Sequence, residues 1–249
     1  MAELAIVTGA ASGIGLAVAD ELLGVDAELL CAAVDLRANA AQELAARHGH
    51  DRIASFEADV SDSLSVHKCV ELIVDRLGTP TQLVNAAGVQ FNCAALDLRP
   101  EDWRRVLAVN LDGTFFFCQA VGRHMVAAGR GAIVNIASVI MHFGFPRRLP
   151  YVVSKAGVGG LTRTLAVEWA DRGVRVNAVA PGYVETPLVT EAVRLGHVDR
   201  AAIDALHAVG RIADPAEIAR AVRFLLSNEA SFITGEVVNV DGGFRVKKI

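Results

Sequence analysis

Leu4-Ala5-Ile6-Val7-Thr8-Gly9-Ala10-Ala11-Ser12-Gly13-Ile14-Gly15 opens on a short apolar run, ends in three glycines and leads straight into the helix-period segment LAVADELL at 16–23. A buried strand, a tight turn and a helix in that order form the first half of a βαβ unit. Glycines at such a turn let backbone N–H groups approach a pyrophosphate and let the helix pack close to the strand. The helix N-terminus then favours the negative charge. The spacing here is GxxxGxG, which differs from the GxGxxG of the dinucleotide fingerprint.

Six more apolar runs follow: ELLCAAVD at 28–35, RIASFEAD at 52–59, TQLVNAAG at 81–88, GAIVNIAS at 131–138, VRVNAVAPG at 174–182 and GEVVNVDGG at 235–243. Such near-continuous apolar strands belong in a sheet covered on both faces. Helical patterns separate them: NAAQELAARH, DSLSVHKCVELIVDRL, PEDWRRVLAVNLDGTFFFCQAVGRHMVAA, VSKAGVGGLTRTLAVEWADR and PAEIARAVRFLLS. The alternation predicts an α/β fold, a doubly wound parallel seven-stranded sheet with helices on both faces. No repeat or linker divides the chain, so residues 1–249 read as one domain. The long irregular stretch at about 183–213 follows a strand end, where ligands bind in open sheets, and is placed to act as a lid.

Composition narrows the function. Of 249 residues, 53% are hydrophobic and 21% charged, which excludes disorder. The net charge of −4 gives no basic footprint for a phosphate backbone, so no nucleic-acid partner is expected. No run reaches the ~18 apolar residues of a membrane span, and the start lacks a cationic leader, so a soluble cytoplasmic protein with no membrane partner is expected. Cys31, Cys69, Cys93 and Cys118 form no CxxC pair and read as reduced core residues. His48, His50, His67, His124, His142, His197 and His207 show no ligand spacing, so no metal is expected. Trp103 and Phe115 to Phe117 read as core or helix-contact surface.

Four features point to chemistry. Asp35 ends the second run, 20 residues beyond Gly15, where a carboxylate can accept from adenosine ribose hydroxyls and repel a 2′-phosphate. That favours NAD over NADP, although Arg37 could pair with such a phosphate. Tyr151-Val152-Val153-Ser154-Lys155 puts a phenol and an ammonium at i, i+4 on one helix face, where the ammonium is expected to lower the phenol's pKa toward a useful range. Ser138 ends the fifth run 13 residues earlier and can orient a substrate oxygen. Asn110 is a poor helix former in the middle of a helical segment.

With Thr8-Gly9-Ala10-Ala11-Ser12-Gly13-Ile14-Gly15, the chain also carries Asp59-Val60, Asn85-Ala86-Ala87-Gly88 and Pro181-Gly182 with Thr186. In this order the motifs resemble the short-chain dehydrogenase/reductase family over essentially the whole length, with Ala86 replacing the second Asn of the family's NNAG motif. The resemblance implies a Rossmann fold and cofactor contacts from Gly9, Ser12, Gly13, Ile14, Gly15, Asp35, Leu36, Asp59, Val60, Asn85, Ala86, Gly88, Tyr151, Lys155, Pro181, Gly182, Val184 and Thr186. It also implies a catalytic tetrad of Asn110, Ser138, Tyr151 and Lys155, in which Asn110 holds a water linking the lysine to solvent. A homotetramer built on the two long helices that carry Asn110 and Tyr151 is implied as well.

The expected activity is hydride transfer between NAD(H) and a small-molecule secondary alcohol or its carbonyl partner, with a polyol, sugar or hydroxy acid preferred. Residues 140–150, IMHFGFPRRLP, should line the pocket: Phe143 and Phe145 as an apolar wall, with His142, Arg147, Arg148 and the lid's Glu185 able to read hydroxyls or an anionic group. The alternative is an NADPH-dependent 3-oxoacyl carrier-protein reductase, with Arg130 and Arg172 meeting an acidic carrier; Asp35 counts against it. A non-catalytic dinucleotide sensor is a third reading, disfavoured because a sensor needs no Tyr151 and Lys155 together.

Overall fold

The computed structural model describes residues 3–37, 41–196 and 198–247. His197 and the Asn39-Ala40 start of one helical pattern lie outside the described residues. Seven strands, β1 (Leu4–Thr8), β2 (Leu30–Asp35), β3 (Ile53–Glu57), β4 (Gln82–Asn85), β5 (Gly131–Ile136), β6 (Val174–Pro181) and β7 (Val237–Val240), form one sheet in the order 3-2-1-4-5-6-7. Every neighbouring pair is parallel. Each apolar run of the sequence supplies one strand. The observed strands are shorter, because terminal residues such as Gly9, Gly88 and Ser138 leave the ladder and turn toward the site.

The period-2 alternation of β1 shows how both faces are covered. Ala5 and Val7 pack with Val18 and Leu22 of α1 (Gly13–Val25) and with Ile218, Val222 and Leu225 of α9 (Pro215–Leu226). Leu4 and Ile6 face Val66, Val70 and Ile73 of α3 (Ser63–Leu77), and Phe117, Val121 and Met125 of α5 (Gly113–Ala128). The short α2 (Gln42–His48) adds Leu44 and Ala45 to the first layer. Leu165 and Ala166 bring α6 (Leu149–Trp169) into the second.

Two expectations change. The long segment containing Asn110 is not one regular helix: α4 (Pro100–Leu107) and α5 are joined by a π-helical turn, Ala108–Asp112, centred on that residue. The 183–213 excursion contains two short helices, α7 (Pro187–Arg194) capped by Thr186 and α8 (Arg200–Leu206) capped by Asp199. Its base is stitched shut by Glu185 N–H to Ala213 O (2.8 Å) and Ala213 N–H to Tyr183 O (2.9 Å). All four cysteines are free; Cys31, Cys69 and Cys118 are buried.

Candidate active site

The carboxyl ends of the strands surround a cavity of about 400 Å³. At one end the first βα turn forms a cradle. Gly9 (φ +67°) lies so close to the loop after β4 that a Cβ would come within 2.8 Å of the Ala87 Cα. Gly13 (φ +57°) begins α1, and a Cβ there would meet the Thr186 side chain at 3.2 Å. The buried Thr8 hydroxyl accepts from the N–H groups of Ala86 (3.1 Å) and Ala87 (3.2 Å), which ties the two loops together. No acidic residue occupies the first turn of α1, so its N-terminus stays open to an anion.

Asp35 lines the same cavity. One carboxylate oxygen accepts from Ala11 N–H at 3.0 Å, the other from Arg37 N–H at 3.3 Å, and the exposed Arg37 guanidinium lies 3.9 Å away. Asp59 is held by the Ser61 N–H (2.9 Å) and hydroxyl (2.7 Å). Leu36, Val60, Ala86, Gly88, Pro181, Gly182, Val184 and Thr186 line the cavity too, together with Ser12, Ile14 and Gly15. A glycine cradle, a helix N-terminus and a carboxylate beyond β2 fit a dinucleotide.

At the other end Ser138, Tyr151 and Lys155 converge on the cavity wall. Ser138 leaves β5 in extended conformation and its Oγ accepts from Ile140 N–H at 3.4 Å. Tyr151 and Lys155 sit one turn apart on α6, the Lys155 Nζ 5.7 Å from the Tyr151 ring centre. Lys155 is buried and donates to the Ile136 carbonyl at 2.7 Å; burial pulls its pKa down to about 8. Tyr151 differs from expectation. Burial pushes its phenol above the usual value, and what pulls the other way is a hydrogen bond with Ser138 and the charge of Arg148. Lys155 does not figure among those influences in the ligand-free chain; its ammonium is turned to the Ile136 carbonyl.

Two residues expected at the site stand behind it. Asn85 is buried at the end of β4, and its Nδ2 donates to Asn135 Oδ1 (2.8 Å) on β5, so it joins two strands and does not line the cavity. Asn110 is buried in the π turn. Its Oδ1 accepts from Val89 N–H (2.8 Å), and its Nδ2 donates to Val89 O (2.9 Å) and Ser154 Oγ (3.1 Å). Its side chain therefore clamps the loop after β4 against α6. A Cβ on Gly88 would lie 3.4 Å from Asn110 Oδ1 and 3.7 Å from Lys155 Nζ, so Asn110 and Lys155 flank the same glycine.

Of the pocket segment, Ile140, Phe143, Phe145 and Arg148 line the cavity. His142 instead meets Asn239 Oδ1 at 2.9 Å, Arg147 is exposed with φ +64°, and Glu185 pairs with Arg200. Arg130 and Arg172 stand just before β5 and β6, at the end of the sheet opposite the cavity, which removes them from any docking at its mouth. Gln90, Tyr183 and Phe244 also line the cavity and were not expected. Phe244 packs on Phe143 (ring centres 5.4 Å apart) and on His207 (5.3 Å), far from either in the chain, and no local sequence signal marks it.

Comparison with known proteins agrees with this geometry. A family model described as enoyl-(acyl carrier protein) reductase matches residues 9–245. The D-threitol dehydrogenase of Mycolicibacterium smegmatis is 44% identical over 247 residues, 98% of this chain and 94% of that protein. The 3-oxoacyl-[acyl-carrier-protein] reductase FabG of Thermotoga maritima is 37% identical, with 97% of each chain covered. A solved structure of ElxO with NADP bound has a TM-score of 0.92 at 29% identity, covering 99% of this chain and 100% of that one. The chain belongs to the short-chain dehydrogenase/reductase family. It is an oxidoreductase that acts on alcohol groups with a nicotinamide dinucleotide cofactor.

Proposed function

We propose that residues 1–249 act as a single dinucleotide-binding domain that oxidises a secondary alcohol, or reduces its carbonyl, with NAD(H), and that a polyol, sugar or hydroxy acid is the preferred class of substrate. The observation that carries this is the convergence of Ser138, Tyr151 and Lys155 at one end of a cavity whose other end presents Asp35. The nicotinamide, when bound, accepts or supplies the hydride. Ser138 holds the substrate oxygen, and Tyr151 removes its proton on oxidation or returns it on reduction. Lys155 holds positive charge beside the phenol. Asn110 acts from behind, by fixing the 88–90 loop and Ser154, whose hydroxyl donates to the Tyr151 carbonyl at 2.8 Å.

NAD is favoured by the Asp35 carboxylate, whose negative charge opposes a 2′-phosphate; the NADP-bound ElxO relative makes the comparison worth a direct measurement. The similarity to D-threitol dehydrogenase supports a small hydroxylated substrate over an acyl carrier. Assembly as a homotetramer is supported by apolar side chains left exposed on α5 and α6, among them Phe115, Val153 and Val167. The test is a panel of polyols, sugars, hydroxy acids and simple secondary alcohols offered with NAD and, separately, NADP, followed by absorbance of the reduced nicotinamide. Reduction of NAD with at least one alcohol, at higher kcat/KM than NADP, is expected. Hydride transfer to neither cofactor with any member would leave the sensor reading in its place.

A further inference from the structure

Among the described residues four charged ones line the cavity: Asp35 and Asp59 at the β2 and β3 end, Lys155 and Arg148 at the other. Lys155 is committed to the Ile136 carbonyl. Arg148 has a different environment. Its guanidinium lies over the Phe145 ring at 4.9 Å and near the Tyr183 ring at 5.6 Å, with Phe143 in the same wall. Among the described residues its hydrogen-bonding neighbour is the Gln90 side-chain amide, whose oxygen, in the amide orientation that satisfies both groups, accepts from Nε at 3.0 Å and from Nη1. Two of its five donors are thus used, and no carboxylate of the described residues pairs with it. The charge stands close enough to Tyr151 to act on its phenol.

A half-buried guanidinium against aromatic rings, steadied by a neutral amide and lacking a counter-ion, is a poor fit for a ligand that offers only hydroxyls. A carboxylate answers it with a forked pair of charge-assisted hydrogen bonds. Apart from Lys155, Arg148 is the one cation that lines the cavity among the described residues, which matches a monoanion. We propose that the substrate is a hydroxy acid, its carboxylate gripped by Arg148 while the carbinol faces Ser138 and Tyr151. The proposal rests on the alcohol-dehydrogenase reading above and narrows it. The polyol specificity suggested by the threitol relative is the competing outcome.

The experiment pairs probes of one skeleton and different charge, 4-hydroxycyclohexanecarboxylate with cyclohexanol and threonate with threitol, on wild type, Arg148→Gln and Arg148→Lys. Because Arg148 also steadies the Tyr151 phenolate, Arg148→Gln slows both members of a pair, and recognition is read from the ratio of their kcat/KM values. Wild type should favour the acid, and Arg148→Gln should cut that ratio by about 10- to 100-fold through KM, the range of a hydrogen bond to a charged group. Arg148→Lys should keep part of the ratio. A second readout needs no turnover: calorimetric binding of cyclohexanecarboxylate to the NADH-loaded protein should be present in wild type and lost in Arg148→Gln. A preference for the neutral member, an unchanged ratio, or binding that is absent or indifferent to the substitution overturns the proposal. Turnover of alcohols without charge preference would do so while leaving the dehydrogenase reading intact, whereas carboxylate binding without any turnover would overturn the dehydrogenase reading and the substrate assignment with it, leaving Arg148 as a carboxylate site only.

Discussion

Tyr151 and Lys155 are both driven toward their neutral forms by burial, the phenol upward and the ammonium down to about 8. A phenol held in its neutral form carries the proton that carbonyl reduction consumes. Alcohol oxidation needs the phenolate, and its rate should climb with pH through the alkaline range. Tyr151→Phe removes the transferable proton while keeping the ring. We expect kcat to fall by the ~10²- to 10⁴-fold typical of lost acid–base catalysis, with NADH binding, followed by fluorescence, nearly unchanged. Turnover within twofold of wild type would remove the role. At this scale the sequence was a good guide where spacing alone does the positioning, as for Tyr151 and Lys155 on one helix face. It did not show that the Asn85 side chain turns to the neighbouring strand, because that depends on the register of β4 against β5, which puts Asn85 opposite Asn135.

The π turn between α4 and α5 is the element most at odds with local propensity. A Leu at 110 would suit a helix better than Asn by a few tenths of a kcal/mol, so propensity predicts that Asn110→Leu stabilises. The hydrogen bonds predict the opposite. The substitution strands Val89 N–H and Val89 O and takes one donor from Ser154 Oγ, which keeps its own bond to the Tyr151 carbonyl; each buried group left unpaired costs ~1–3 kcal/mol. Two stranded groups on half-buried Val89 outweigh the helical gain, and a net loss of about 1 kcal/mol or more is expected in urea unfolding. Affinity for NADH should fall with it, since Gly88 and Val89 line the cavity. The helical period of this segment was legible, but the extra residue in its turn was not. The cause is a side-chain clamp onto a loop 21 residues away, and hydrophobic periodicity does not register that.

Over the whole molecule the seven strands were legible because their apolar runs are near-continuous, most fully where β1, β2, β5 and β6 are buried on both faces. Closure of the substrate end was not, because Phe244 arrives from beyond β7 and only the assembled sheet brings it to Phe143 and His207. The same dense interior sets how stability responds to alkali. Cys31 and Cys118 are pushed up to about 12 and Cys69 to about 11 by burial, from 9.0. Above pH 9 the unfolded chain sheds these three protons while the folded chain keeps them, so folding loses stability as pH rises. Lys155 works in the other sense: between about 8 and 10.5 the unfolded chain keeps a proton that the folded chain has released, so stability rises with pH. Each proton of difference is worth ~1.4 kcal/mol per pH unit. From pH 8 to 9 the release of the Lys155 proton in the folded chain and the onset of thiol ionisation in the unfolded chain nearly cancel, and stability should stay level. Near pH 10 three thiols oppose one ammonium, a net two protons, and stability should fall by roughly 3 kcal/mol per pH unit. Urea unfolding of the ligand-free protein at pH 8, 9 and 10 under reducing conditions reads both limbs. Lys155→Met should turn the level limb into a fall, and Cys31→Ala should make the fall shallower. A curve that rises from pH 8 to 10 would mean that the three thiols ionise inside the folded chain, contrary to their burial.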